Sequence, residues 1–284
     1  MATHDFANFL LSLSNKELNS ALLSGAGIPE RFRPEILGTP DDSIQIATAG
    51  KTGNAAIMEA IDFSSATMLR YRFHVGNSAP RVLDFGCGWG RVTRAFLRFS
   101  PSSMLTGVDV RKEAIDLARS LTPRIRFEQI GPRPPANFFA DESFDLVVGY
   151  SVFSHLSEDV ARAWIDEFAR IVAKGGLACI TTRPKAHLVV AKSNSARSQE
   201  LCGHAKTYAT MIKDYDIAIS RYDSGEFVYV PTGGGGCLSK DFYGEAIIPK
   251  PYVEKHWQND FDLVEWIDKF SDIGAQPIIV LRRK

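Results

Sequence analysis

Between Val82 and Phe96 the chain reads VLDFGCGWGRVTRAF: an apolar run, three glycines on alternate positions, then a pattern with helical spacing. No other stretch constrains the fold as much. Gly86, Gly88 and Gly90 leave room for something to lie against bare backbone, because glycine lacks a Cβ and tolerates turns that other residues resist. The flanking chain continues the rhythm. RVLDF, SMLTGVDV, RIRFEQI, FDLVVGYSVF and LACITTR read as short strands. GRVTRAFLRF, RKEAIDLARSL and SEDVARAWIDEFARIVAKGG read as the helices around them. Apolar strands alternating with helices indicate a parallel sheet covered on both faces, with its ligand beyond the carboxyl ends of the strands.

Outside this region the pattern changes. Residues 1–80 read as a mostly helical lead-in, and residues 81–284 as one domain. After Thr182 the alternation stops, and residues 183–260 read as an α+β insertion. Within it, GEFVYVPTGGGGCLSKDFYGEAIIP suggests antiparallel strands around a flexible four-glycine link, Gly233 to Gly236. FDLVEWIDKF and AQPIIVLRRK then read as a closing pair of strands.

Composition narrows the partners. Thirty-three basic residues balance thirty-three acidic ones in 284, so the chain carries no bulk charge for phosphate backbones or anionic membranes. No apolar run approaches the roughly 20 residues that span a bilayer, so no membrane insertion is expected. The N-terminal stretch lacks a basic region and a cleavage site and reads as an amphipathic helix, not a signal peptide. Cys87, Cys179, Cys202 and Cys237 are widely spaced, without a C-x-x-C pair. Ordinary thiols in a reducing cytoplasm are the expectation.

The glycine loop is answered about twenty residues on by Asp109, at the end of the next strand, as in nucleotide-binding crevices where a carboxylate takes a ribose diol. A dinucleotide fingerprint requires a third glycine one residue later than Gly90, where this chain has Arg91. That residue argues against a nicotinamide-dependent oxidoreductase. So does the lack of a Y-x-x-x-K pair, since Tyr208 is followed at that spacing by Ile212. Asp84 points the same way: a negative charge repels a pyrophosphate and attracts a ligand carrying an ammonium group.

The order D-x-G-x-G-x-G at Asp84 to Gly90, then Asp109, then FDLVVGYSVFSHL, resembles the class I S-adenosylmethionine-dependent methyltransferases. The likeness runs from Arg81 to Thr182 and resumes in the closing strands. It implies an α/β, Rossmann-like seven-stranded sheet with helices on both faces, and S-adenosyl-L-methionine as cofactor. Gly86, Cys87 and Gly88 would pass under the methionyl portion, Asp109 would hold the ribose, and Tyr150 and Ser151 would line the transfer site. Asp84, Phe85, Gly90, Arg91, Val110 and Ile130 complete the implied cofactor set. After the third strand the family often carries an acidic residue near adenine. Here Gln129 and Ile130 stand instead.

Other signals bear on the acceptor. His155 follows the fourth strand and is the candidate catalytic base, since imidazole suits proton removal from a hydroxyl. Hydrogen bonding at the start of the next helix explains it as well. Tyr243, Glu245 and His256 are the candidate substrate contacts, and His187 and His204 could equally reach the site. AGKTG at Ala49 to Gly53 lacks the first glycine of a phosphate loop, Gln45 standing there, and reads as a loop before a helix. A D/N/S-P-P-Y/F motif of base methylation is missing where the chain reads GYSVFS, so nucleic acid is not the expected substrate. Tyr150 and Ser151 supply no acidic ligands, so no metal is expected. What remains is a small molecule or a glycan end. VLDFGCGWGRV with the C-terminal tail is similar to bacterial methyltransferases of cell-surface sugars or specialised metabolites, with an oxygen acceptor read first and nitrogen second. A catalytically silent cofactor-binding protein stays open, and the insertion suits a homo-oligomer contact nearly as well as a lid.

Overall fold

The computed structural model describes residues 2–201, 203–268 and 276–284, the side chains of 2–4 and 203–205 excepted; Cys202 and the side chain of His204 therefore lie outside the described residues. Four helices come first: α1 (Ala2–Ser12), α2 (Asn15–Ser24), α3 (Asp42–Ala49) and the long α4 (Gly53–His74). The alternating part follows as β1 (Val82–Phe85), α5 (Arg91–Ala95), β2 (Leu105–Asp109), α6 (Lys112–Leu121), β3 (Arg126–Gln129), β4 (Phe144–Gly149), α7 (Glu158–Ile171) and β5 (Val172–Thr181). Next come α8 (Lys185–Ser195), α9 (Gly203–Thr210), α10 (Tyr215–Asp223), β6 (Val228–Val230), β7 (Glu245–Ile247) and α11 (Lys250–His256). Strands β8 (Phe261–Ile267) and β9 (Ile278–Arg283) close the chain.

Among the described residues seven strands form one sheet in the order β3-β2-β1-β4-β5-β9-β8. Strands β1 to β5 pair in parallel, while β9 runs antiparallel between β5 and β8. Strand order reverses at β1, which pairs with β2 on one side and β4 on the other. The glycine loop leaves β1 at this switch point, where neighbouring connections depart to opposite faces and a crevice opens.

Alternation along each strand feeds two cores. Val82, Leu146, Val148, Leu177 and Val280 face the lead-in with Trp89, Phe63 and Phe96. Leu83, Phe85, Val147, Ala178 and Ile180 face α7, with Trp164 and Phe168. The lead-in is stitched on by polar bonds too. Fully buried Arg94 on α5 donates to the carbonyls of Leu22 at 3.2 Å and Gly38 at 2.6 Å, its guanidinium over the ring of Trp89. Among the described residues no helix is long and apolar enough to cross a membrane.

Three local expectations change. The helix read through Gly176 stops at Ile171, and VAKGG opens β5. Gly175 takes φ +76°, and a Cβ on Gly176 would lie 2.8 Å from the Asp145 carbonyl, so these two glycines let the strand start against a bulge. The helix read through GRVTRAFLRF is only one turn of α-helix, continued as a 3₁₀ turn at Phe96–Arg98. The third change is the four-glycine link, which is a hydrogen-bonded turn and not a free tether. Gly233 N–H donates to Tyr243 O, Gly234 N–H to Leu238 O, and Leu238 N–H to Gly235 O. A Cβ on Gly234 would lie 3.0 Å from the Tyr243 ring. The turn needs glycine for close approach, and it grips a candidate site residue.

Candidate active site

The loop after β1 is built by its neighbours. Gly86 and Cys87 N–H both donate to Val108 O on β2, at 2.8 and 2.9 Å, and Gly90 N–H donates back to Cys87 O. All three loop glycines hold positive φ, the region that non-glycine residues avoid. Their missing side chains serve different ends. A Cβ on Gly86 would collide with Val152, and one on Gly90 would lie 3.1 Å from Phe127. At Gly88 a Cβ would meet only the far end of Arg111, at 4.0 Å. Open space above backbone at Gly88 is the cradle a cofactor needs, and here the residues fit one.

Two buried carboxylates border that space. Asp109 Oδ2 accepts the Gly88 N–H at 2.9 Å and its Oδ1 accepts the Arg111 N–H at 2.9 Å. The acid therefore shapes the loop, and each of its oxygens can accept a further donor. Asp84 lies at the end of β1 and accepts the Thr93 hydroxyl at 2.6 Å. Burial pushes its carboxyl up to about 6, restrained by that bond and by Arg91. The sign for stability follows. A carboxyl raised above its unfolded value near 3.8 stabilises the fold while protonated and loses that contribution as pH rises through about 6. Melting temperature of the ligand-free protein is thus expected to fall between pH 4 and 6 more steeply than in Asp84→Asn; parallel curves contradict this.

Around the cradle the predicted residues divide. Ile130 donates its N–H to Asp109 O at 3.0 Å, and Gln129 reaches back to Val110 O at 3.1 Å, so Val110 and Ile130 edge the Asp109 side with apolar surface. Tyr150 packs edge-on against Phe63 of α4, with ring centroids 4.9 Å apart, and burial with Glu59 beside it raises its hydroxyl. Ser151 has φ +60°, a conformation costly outside glycine. Thr181 Oγ1 accepts its N–H at 2.7 Å, and Gln276 Nε2 donates to its hydroxyl at 3.0 Å. Cys87 is a buried free thiol, its proton held by burial.

Two residues of the implied cofactor set point elsewhere. The Phe85 ring lies in the core against Trp164 and Phe168, at 4.6 and 5.2 Å, because β1 alternation turns it to the α7 face. Arg91 is drawn to α4, donating to Ala56 O at 2.7 Å and Glu59 Oε2 at 3.0 Å. Its guanidinium lies over the Tyr150 ring. Both side chains brace the cradle from outside.

A second cluster forms where residues 242–246 meet the loop after β4. Residues 242–246 run beside 154–157: Gly244 N–H donates to His155 O at 2.7 Å, Ala246 N–H to Ser154 O, and Ser157 N–H to Phe242 O. This brings Tyr243 and Glu245 to His155. The Tyr243 and His155 rings stack at 4.9 Å and 4°. Arg183, just past β5, pairs with Glu245 at 2.6 Å and donates to the Tyr208 hydroxyl at 2.7 Å. Burial alone would raise Glu245, but His155 and Arg183 hold it below the usual carboxylate range. Burial pushes the phenols of Tyr208 and Tyr243 up to about 12, so both keep their protons. His187 packs edge-on against Tyr208 and is pushed down to about 4 by burial and Arg183, hence neutral.

His256 does not join them. It packs on Tyr252 at 4.4 Å, and the Tyr252 hydroxyl is directed to Glu158, so helical spacing on α11 carries His256 toward the start of α7. Glu59, Arg183 and Tyr208 were missed. Arg183 could have been found, because it is the second residue beyond a strand's carboxyl end. Glu59 gives no such sign within a mostly apolar helix.

With this geometry in view, the comparisons agree. Residues 82–176 match a family model described as a methyltransferase domain. A demethylmenaquinone methyltransferase from Chlorobaculum parvum is 34% identical over 107 residues, covering 37% of this chain and 42% of that protein. A malonyl-[acyl-carrier protein] O-methyltransferase from a Paenibacillus species is 31% identical over 108 residues, 36% and 38% of the two lengths. The chain thus spans less than half the length of these relatives. The PH0226 protein from Pyrococcus horikoshii OT3 shares the fold, with a TM-score of 0.56 at 16% identity, covering 91% of this chain and all of that one. Residues 82–176 thus match a methyltransferase domain, and the sheet around them has the fold of its solved neighbour, which supports a class I S-adenosylmethionine-dependent methyltransferase.

Proposed function

We propose that the chain transfers a methyl group from S-adenosylmethionine to a hydroxyl of a small molecule or glycan end, a sugar or specialised metabolite. One observation carries this reading: residues 242–246 bring His155, Arg183, Tyr243 and Glu245 together on the loop after β4, whose Val152 packs over Gly86 of the glycine loop. In this reading residues 1–80 brace the cofactor side through Arg91 and Arg94, while residues 183–260 form the lid that selects the acceptor. Cofactor contacts fall to the backbone of Gly86 to Gly88 and to Asp84, Asp109, Val110 and Ile130. The sulfonium supplies an activated methyl, and alignment alone accounts for much of the acceleration. The chain's own residues then have to fix the acceptor, exclude water and receive one proton.

The relatives' printed names give two unlike acceptors, so neither is carried over. Full-length protein incubated with methyl-labelled donor and a mixed set of sugars, phenols and amines is expected to yield labelled methyl ethers. Label on nitrogen alone overturns the oxygen reading. Donor binding without transfer to any acceptor favours a silent binding protein.

A further inference from the structure

The two ring nitrogens of His155 have unlike neighbours. Nδ1 lies 2.8 Å from the Gly244 carbonyl and 3.4 Å from Oε1 of Glu245, and both only accept, so Nδ1 carries the proton. Nε2 lies 3.4 Å from Nη2 of Arg183, which only donates, so Nε2 keeps its lone pair. Stacking on Tyr243 fixes the ring plane. Arg183 is fixed in turn by Glu245 and by the Tyr208 hydroxyl. At 3.4 Å the two nitrogens admit no atom between them, but both side chains keep some exposure, and an oxygen bridging them from one side at ordinary hydrogen-bond length gains a proton acceptor and a cationic donor together.

We propose that His155 and Arg183 form an acceptor subsite for an acidic hydroxyl, a phenol or an enol, with Glu245 as the residue that positions both. This rests on the oxygen-methylation reading above and narrows it, keeping the specialised metabolite and dropping the sugar hydroxyl. A phenol ionises near 10, roughly as tyrosine does, within reach of an imidazole aided by a guanidinium. An alkyl hydroxyl, closer to water at about 15.7, is not. The charges of the cluster fit: Glu245 and Arg183 cancel, His187 is neutral, and the proton gained by His155 balances the negative oxygen. The hydroxyl proton passes to Nε2, the freed oxygen lone pair forms the new C–O bond, and the C–S bond breaks to leave a neutral thioether. Glu245 stabilises the protonated ring through Nδ1.

Two measurements on the full chain test this, with S-adenosylhomocysteine affinity as the control. Nitrogen-15 spectra of the ligand-free protein, with His155→Gln for assignment, are expected to show Nδ1 protonated and Nε2 bare. Glu245→Gln should lower that tautomer's share, and Glu245→Asp restore it. The probe 4-nitrophenol is expected to bind the S-adenosylhomocysteine-loaded protein as its yellow phenolate, at a pH where it is neutral in solution. Arg183→Met should weaken that binding by about tenfold and leave the bound probe colourless. A proton on Nε2, or 4-nitrophenol bound equally by parent and Arg183→Met, overturns the subsite while leaving the donor reading intact. Failure of S-adenosylhomocysteine to bind overturns both.

Discussion

Gly88→Ala is expected to leave the protein folded and to abolish most of its affinity for the methyl donor, whereas Gly86→Ala is expected to damage the fold itself. The two glycines sit two residues apart in one motif, and both hold positive φ. A Cβ at Gly88 opens into free space, so the substitution costs only the backbone strain of about 1–2 kcal/mol. The new methyl then occupies the volume in which the ligand must lie. Overpacking of a fitted surface costs about 1–3 kcal/mol, which corresponds to a loss of roughly hundredfold at its upper end. At Gly86 the same methyl collides with Val152, so strain and overpacking add to about 3 kcal/mol of stability. Urea unfolding and donor titration of both variants check this. Equal donor affinity in Gly88→Ala and parent means that the space above Gly88 is not the cradle.

Asp109→Ala is expected to weaken donor binding by at least about hundredfold. Hydrogen bonds to a charged acceptor contribute about 1.5–3 kcal/mol each, and a ribose diol offers two. The loop suffers as well, because Asp109 accepts the Gly88 and Arg111 N–H groups that set its shape. Asp109→Asn separates the two effects: its amide oxygen still accepts one N–H, so loop geometry is partly kept while the charge is lost. The expected order of affinity is parent, then Asn, then Ala, read by calorimetry. Unchanged affinity in Asp109→Ala contradicts the placement of the ribose.

What could be read before the structure, and what could not, follows from how far apart the interacting residues lie. Strand, glycine loop, helix and Asp109 are local signals within thirty residues, and the parallel strands that they imply are observed. Tyr243 and Glu245 were nameable because aromatic and acidic residues stand out in FYGEA, but their meeting with His155 depends on one backbone segment crossing the fold. Nothing near His256 in the sequence tells that its helix faces the start of α7. Phe85 and Arg91 belong to the motif, yet strand alternation and a carboxylate on α4 turn their side chains away. Gly233 to Gly236 looked like a tether because four glycines favour no single backbone conformation. The bonds to Leu238 and Tyr243 impose one.

The claim on which the rest depends is that the cleft at the end of β1 holds a methyl donor and not a dinucleotide. Calorimetric titration of the full chain with S-adenosylmethionine, with S-adenosylhomocysteine and with NAD tests it directly. Saturable binding of one equivalent of either sulfur compound, sharply weakened in Asp109→Ala and Gly88→Ala, is the result expected, with no heat from NAD beyond dilution. Binding of NAD at one equivalent, or sulfur-compound binding indifferent to both substitutions, contradicts it.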